Sequence, residues 1–314
     1  MITASIVTYD HHLLDIEPVL RSLFASPVDI VYVIDHSEHM MELKAELQEF
    51  AARVLQGEPA LRRKEKAGFQ LIYFPHPNNG YGGGHNYAIR KAVEAGSEYH
   101  LVVNPDIWFG PEVMPELIRY MVMHPEVGQM MPKVLYPNGS IQRLAKLLPT
   151  PFDIIGRFCF PQFLIAKRNN RYELLSSGYT KTLNVPCLSG CFMMFRMSAL
   201  QEINMFDEHF FLYAEDVDIT RRMHQRYLTL FYPATVVYHK FSRASHRSFR
   251  LFWIHMTNMI KYFNKWGWWN DPERDAINAR CMRAIESTGE VVEPQYENLH
   301  IKETEGVDNR VATR

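Results

Sequence analysis

Glu215-Asp216-Val217-Asp218 places three carboxylates within four residues, and Arg221 and Arg222 follow one helical turn later. From Glu215 onward the pattern reads as a helix with acids in its first turn. The partial positive charge of a helix N-terminus favours acids there for purely structural reasons. The preceding apolar run, Phe210-Phe211-Leu212-Tyr213-Ala214, reads as strand-like and would bring the acids to the mouth of a core element. Asn104-Pro105-Asp106 closes a second apolar run. Acids at the mouths of two strands suit metal-assisted transfer, in which one carboxylate holds a cation and another takes a proton.

Elements to position such a pair alternate along the first third of the chain. Strands are predicted at 4–9, 29–35, 70–74 and 100–103, with helical spacing at 11–25, 38–55 and from the glycine run to about Ala95. This alternation implies an α/β fold with a Rossmann-like, mostly parallel central sheet flanked by helices. Ligands of such sheets bind beyond the carboxyl ends of the strands, where Thr8, Asp35, Asn79 and Asp106 all lie. Further on, a strand and hairpin-like turn are expected over 127–141, a strand over 191–195, and a strand pair around Pro233 within 228–239. Residues 145–180 are aromatic, basic and weakly periodic, and read as a flap, an acceptor-side insertion or a packed surface excursion. Phe249 to Trp269 reads as an amphipathic helix.

Asn79-Gly80-Tyr81-Gly82-Gly83-Gly84-His85-Asn86 reads as a glycine-rich loop ahead of a helix, able to aim backbone N–H groups at phosphate. It lacks the Gly-Lys-Ser/Thr of a Walker loop and the spacing of a dinucleotide fingerprint. Asp106 could bind Mg²⁺ or Mn²⁺ with substrate phosphates and water completing the shell, or could be turn punctuation. Asp35 could accept hydrogen bonds from a nucleoside or cap a helix. His239, closing a strand, could complete a metal site.

The 314 residues are 47% hydrophobic and 22% charged, which is enough for a packed core. A net charge of −1 gives no case for nucleic acid as a partner. The segment from Glu286 onward holds seven acids against three Lys/Arg and lacks an apolar period, so a flexible acidic tail is expected over 286–314. The four cysteines fit neither a disulfide framework nor a zinc pattern, and suit reduced thiols in the cytoplasm. No signal-peptide pattern and no apolar run of membrane-spanning length is read.

Together, Ser5-Ile6-Val7-Thr8-Tyr9, Val33-Ile34-Asp35, the 79–86 run, Asn104-Pro105-Asp106, Ser189-Gly190-Cys191-Phe192-Met193, the run from Phe211 to Asp218 and Tyr238-His239 resemble family 2 glycosyltransferases of GT-A fold. Within them the similarity is to the bacterial rhamnosyltransferase-like branch of surface polysaccharide synthesis. It runs from about residue 3 to 265 and omits much of 145–180. It implies an inverting hexosyltransferase, a nucleoside-diphosphate sugar donor (dTDP- or UDP-linked, rhamnose among the sugars), a divalent metal (Mg²⁺ or Mn²⁺), and a glycan or lipid-linked glycan acceptor. By position, the implied donor-binding set is Thr8, Tyr9, Asp35, Asn79, Gly80, Gly84, Asn86 and Asn104. The implied metal ligands are Asp106 and His239. The implied base is Asp216, with Glu215 beside it as the rival, and Asp218 is left with capping and helix-dipole support. The family's DxD is altered here, because Asn104 stands at the first Asp.

The resemblance implies a catalytic domain over 1–245, with a nucleotide-binding half (1–110) and an acceptor half (111–245) carrying the 145–180 insertion. A C-terminal helical region follows over 246–285. Its Trp-, Phe- and Lys/Arg-rich stretch from 247 to 269 could touch the inner face of the cytoplasmic membrane, or simply pack on the catalytic domain. Two other readings compete. A sugar-phosphate nucleotidyltransferase would carry its glycine-rich loop after the first strand, where Thr8-Tyr9-Asp10-His11-His12 has no glycine. A catalytically silent nucleotide-sugar-binding protein would not need Asp106, Asp216 and His239 together.

Overall fold

β-branched runs that alternate their side chains between two faces build the centre of the molecule. In the computed structural model, which describes residues 1–38, 40–57, 68–240 and 249–287, β1 (Ile2–Thr8), β2 (Ile30–Asp35), β3 (Gln70–Pro75) and β4 (Tyr99–Val103) form a parallel half-sheet in the order β3-β2-β1-β4. Along β2, Val31 and Val33 enter one core while Ile30, Tyr32 and Ile34 enter the other. That is the two-residue period of a strand buried on both faces. α1 (Leu13–Phe24) covers one face with Ile16, Val19, Leu20 and Leu23, and α2 (Met40–Gly57) packs beside it through Leu47 and Phe50. α3 (Tyr81–Glu94) covers the other face with Ala88, Ile89 and Ala92.

The second half of the sheet is mixed. β5 (Ile107–Phe109) and α4 (Val113–Met123) lead to β6 (Val127–Leu135), and the short β8 (Leu183–Asn184) flanks the far side. β10 (Phe192–Arg196) lies antiparallel to both β4 and β6. After α7 (Met197–Glu202) and α8 (Glu215–His224), β11 (Leu228–His239) runs parallel to β6 and antiparallel to β5 and β8. The sheet order is completed as β4-β10-β6-β11-β5. β7 (Ala145–Lys146) and β9 (Cys187–Leu188) make a separate two-stranded ribbon.

Four local expectations differ from the structure. Pro233 does not split β11 into two strands. A register shift between Tyr232 and Val236 lets one strand pass it, as a bulge tolerates proline. The glycine run is not a loop before α3 but its first turn, with Gly80 as N-cap. Residues 210–214 are not a strand: they bend, and Tyr213 and Ala214 both have φ of 69°. Residues 145–180 are largely helical, in α5 (Pro151–Cys159) and α6 (Gln162–Tyr172). Thr150 and Asp153 form a capping box at the start of α5, which the apolar-period reading passed over.

α9 (Phe249–Trp266) and α10 (Pro272–Ser287) are tied to the sheet domain by a buried arginine. Arg221 on α8 donates to Asp271 at 2.8 and 2.9 Å and to Glu273 at 2.8 Å, and stacks over Trp266 at 4.1 Å. The acidic segment 288–314 lies outside the described residues.

Candidate active site

Parallel pairing of β1 and β2 brings Thr8 beside Asp35 at their carboxyl ends. Asp35 is fully buried. Its Oδ1 accepts the Thr8 hydroxyl at 2.9 Å, the Ser37 hydroxyl at 2.5 Å and the Ser37 N–H at 3.1 Å, while Oδ2 accepts the Tyr73 hydroxyl at 2.7 Å. Burial and this carboxylate together push the Tyr73 hydroxyl well above its usual pKa. Asp35 therefore acts first as the knot of a strand-end network. Tyr9 is exposed beside it.

Gly80 meets two demands. Its φ is 89°, and a Cβ there would lie 2.1 Å from the carbonyl oxygen of Phe211. Tyr81 N–H donates to that same carbonyl at 2.8 Å, so the turn that opens α3 grips the bend leading to Glu215. Gly84 lets the helix pass the His36 ring, which a Cβ would approach to 2.8 Å. Asn79 Oδ1 is buried and accepts no hydrogen bond. Asn86 is occupied elsewhere: its amide bonds Phe206 N–H at 3.0 Å and the Phe206 carbonyl and Glu208 at 2.9 Å each. It pins the loop after α7, so its side chain is already engaged by protein groups.

The acids divide into three roles. Asp216 Oδ2 accepts the Gly190 N–H at 3.0 Å and Oδ1 accepts its neighbour Val217 N–H at 2.9 Å. Burial raises the pKa of its carboxyl, and the Gly190 N–H and the Lys146 charge oppose that rise without cancelling it. Glu215 is buried, its Oε2 accepts no hydrogen bond, and burial with Asp216 alongside lifts its pKa well above the ordinary range. Asp218 is fully buried and is no mere cap: Arg222, Lys265 and Trp266 each donate to it at 2.8 Å, joining α8 to α9.

His239 Nε2 lies 3.1 Å from Asp106 Oδ1. β5 and β11 hold the two together through antiparallel pairing, and the Lys240 N–H donates to the Asp106 carbonyl at 3.0 Å. On the other side of the ring, His239 Nδ1 lies 2.9 Å from Gln142 Oε1, and Gln142 Nε2 donates to the His239 carbonyl at 2.8 Å. With the amide so oriented, Nδ1 carries the proton and Nε2 points its lone pair or second proton toward Asp106. Burial alone would lower the His239 pKa, but Asp106 and Cys191 outweigh it and hold it up to about 10. At neutral pH Nε2 therefore carries a proton toward Asp106, and a cation such as Mn²⁺ bound by this pair would have to displace that proton before the imidazole nitrogen could join the carboxylate oxygen as a ligand. Among the described residues no cluster of three or more His, Cys, Asp or Glu side chains stands ready for a metal. Two protein donors alone would leave the rest of a cation's shell to phosphate and water.

Ser189-Gly190-Cys191 joins the two sides. Gly190 holds Asp216, its carbonyl accepts the Tyr81 hydroxyl at 2.6 Å, and the Cys191 carbonyl accepts the Asn104 N–H at 2.9 Å. The buried Tyr81 hydroxyl is kept protonated first by burial and then by the charges of Glu215, Asp216 and Asp106. Thus Asp106, His239, Asn104, Glu215, Asp216 and the 79–81 turn meet around one segment. Asn104 contributes its backbone to this junction. Sequence reasoning missed Gln142, Lys146 and Tyr81. Lys146 acts on Asp216 through its charge, and it sits on β7, which pairs with β9 in a two-residue ribbon with no periodic signal.

A sequence description of "Glycosyl transferase family 2" matches residues 3–204. The N-acetylglucosaminyl-diphospho-decaprenol L-rhamnosyltransferase of Mycobacterium tuberculosis is 28% identical over 216 residues, covering 63% of this chain and 68% of its own. The rhamnosyltransferase WbbL of Escherichia coli K12 is 26% identical over 191 residues, covering 58% and 70%. Among solved structures, the mannosyltransferase PcManGT of Pyrobaculum calidifontis, in complex with GDP-Man and Mn²⁺, superposes with a TM-score of 0.55 at 14% identity over 92% of this chain and 70% of its own. GalNAc-T7 with UDP, GalNAc and Mn²⁺ gives 0.53 at 13% identity over 76% of this chain, which spans 43% of that longer one. The α/β architecture with a sheet flanked by helices is that of the GT-A glycosyltransferases, and the chain belongs to glycosyltransferase family 2, on its rhamnosyltransferase-like side.

Proposed function

We propose that this glycosyltransferase moves a hexosyl group, rhamnose foremost, from a dTDP- or UDP-sugar to a lipid-linked glycan during bacterial envelope polysaccharide synthesis, with inversion at the anomeric carbon. The observation that carries the reading is the junction at Gly190 and Cys191, around which Asp216 and the Asp106–His239 pair gather. Asp216 takes the acceptor proton as the hydroxyl attacks. Its raised pKa suits that task, since a base poised closer to neutrality accepts a proton more readily than an ordinary aspartate. Glu215, more deeply buried and without a hydrogen bond to Oε2, is the less accessible carboxylate.

Asp106 and His239 would hold Mn²⁺ or Mg²⁺, and Gln142 fixes the imidazole for that role. When bound, such a cation neutralises charge on the departing nucleoside diphosphate. Thr8, Tyr9, Asp35, Asn79, Gly80 and Gly84 line the donor side at the carboxyl ends of β1, β2 and β3. The M. tuberculosis relative acts, by its name, on a diphospho-decaprenol-linked sugar, and this supports a lipid-linked acceptor here. A lipid-linked acceptor would place the protein at the inner face of the cytoplasmic membrane; no described helix is long and apolar enough to cross a membrane. The test is the product. Acceptor-dependent release of nucleoside diphosphate from dTDP- or UDP-rhamnose is expected, and release of pyrophosphate instead would establish a nucleotidyltransferase.

A further inference from the structure

Every exposed Phe and Trp among the described residues lies in two segments, 151–172 and 249–269. On α6 and just before it, Phe160, Phe163 and Leu164 face solvent, and Phe163 is 77% exposed. On α9, Phe249 is 77% and Trp253 52% exposed. These segments are distant in sequence but adjacent in the fold. Ile154 of α5 packs into one apolar cluster with Met259, Tyr262 and Phe263 of α9, and α5 leads directly into α6. Phe152, also exposed, stacks on Phe160 with ring centroids 5.7 Å apart.

Charge singles out the same surface. Residues 151–172 contain one acid, Asp153, and Arg168 is bonded to it at 2.6 Å; α9 contains none. Lys167 and Arg171 are exposed on α6 and Arg250 on α9; Lys261 of α9 is exposed too, with its ammonium donating to the His209 carbonyl at 2.8 Å. Clustered aromatics beside lysine and arginine, with almost no carboxylate, are the mark of an element that lies in the headgroup region of an anionic bilayer.

We infer that α5–α6 and α9 together form one docking surface for an anionic lipid bilayer. The inference rests on the lipid-linked acceptor reading above and assigns α6 a part in it. The surface is coupled to the base. Ala214 lies in the same apolar cluster as Ile154 and Met259, Val217 packs against it, and Asn258 of α9 donates to the Leu212 carbonyl at 2.7 Å. Docking these helices therefore brings the bilayer surface up behind the bend that carries Glu215 and Asp216.

The test is co-sedimentation of the full chain with phosphatidylcholine vesicles, with and without phosphatidylglycerol. Binding is expected only when the anionic lipid is present, and it weakens as salt screens the basic groups. Phe163→Ser/Leu164→Ser and Phe249→Ser/Trp253→Ser should each cut the bound fraction severalfold. Both should keep the parent's melting temperature and its transfer to a water-soluble acceptor. Three results overturn the inference: no binding of the parent to anionic vesicles, binding unaltered by the α6 double variant, or self-association through these residues in place of vesicle binding. Vesicle binding by a protein that transfers no sugar would instead remove the functional reading and leave the surface standing.

Discussion

Gly190 donates its backbone N–H to Asp216 at 3.0 Å, so the proposed base is oriented by the segment between β9 and β10 as well as by its own helix. That segment also meets Asn104 and, through Cys191, His239. A displacement of it would disturb both halves of the site at once.

The pH profile of transfer should show this arrangement. Asp216 must be ionised to accept a proton, and burial raises its pKa above 3.8. Activity therefore falls as pH drops, with the acid limb centred above 3.8. The Lys146 charge opposes the rise, so Lys146→Met should move that limb to higher pH. A kcat/KM profile at saturating metal measures this; an unmoved limb would separate Lys146 from the base.

The Asp106–His239 pair should make donor binding metal-dependent. EDTA should abolish transfer, and Asp106→Ala should remove the metal-dependent part of donor affinity measured by calorimetry. Gln142→Leu should weaken metal affinity by about 10- to 100-fold, the usual effect of losing the group that orients a ligating histidine. Full turnover in chelator would take Asp106 and His239 out of the reaction.

Asp218 should matter for folding. It is fully buried among Arg222, Lys265 and Trp266, and removing one partner of a buried charge network costs about 3–5 kcal/mol. Asp218→Ala should lower the melting temperature steeply while folded molecules keep their donor affinity. A thermal melt within about 2 °C of the parent would contradict the network's role.

Much of this was legible in the sequence, and the failures have physical causes. The parallel half-sheet followed from β-branched runs alternating with amphipathic stretches, and the order of motifs brought Asp106, Asp216 and His239 to one site. The engagement of Asn86 is invisible in the sequence because its amide bonds the Phe206 backbone, 120 residues away. Asp218 looked like a cap because its partners, Lys265 and Trp266, come from a distant helix. Gln142 and Lys146 gave no signal, since a hairpin end and a two-residue strand have no period to read.

Gly80→Ala should be costly out of proportion to its size. The positive φ and the 2.1 Å approach to the Phe211 carbonyl leave no room for a Cβ. A loss of at least about 1–3 kcal/mol is expected, together with reduced turnover because the 211–214 bend must shift. A variant with parent-like melting and kinetics would show that this contact is dispensable.

Acid should destabilise the fold through histidines buried in the neutral form. Burial lowers His100 to about 3 and His224 to about 4, against 6.5 when unfolded. The unfolded chain thus binds more protons between these values. The stability is present above about 6.5 and is lost as pH falls toward 4. Melting temperatures across that range should drop; a flat profile would mean that neither histidine is held neutral.

The most direct measurement compares Asp216→Asn with Glu215→Gln, in turnover and in donor affinity. Asn keeps the size of the side chain and can still accept through one oxygen, but it cannot serve as a base. Asp216→Asn should fold, bind donor and metal nearly as the parent does, and lose about 10²- to 10⁴-fold in transfer. Near-normal transfer in Asp216→Asn, with the loss appearing in Glu215→Gln instead, would contradict the assignment of Asp216 as the base.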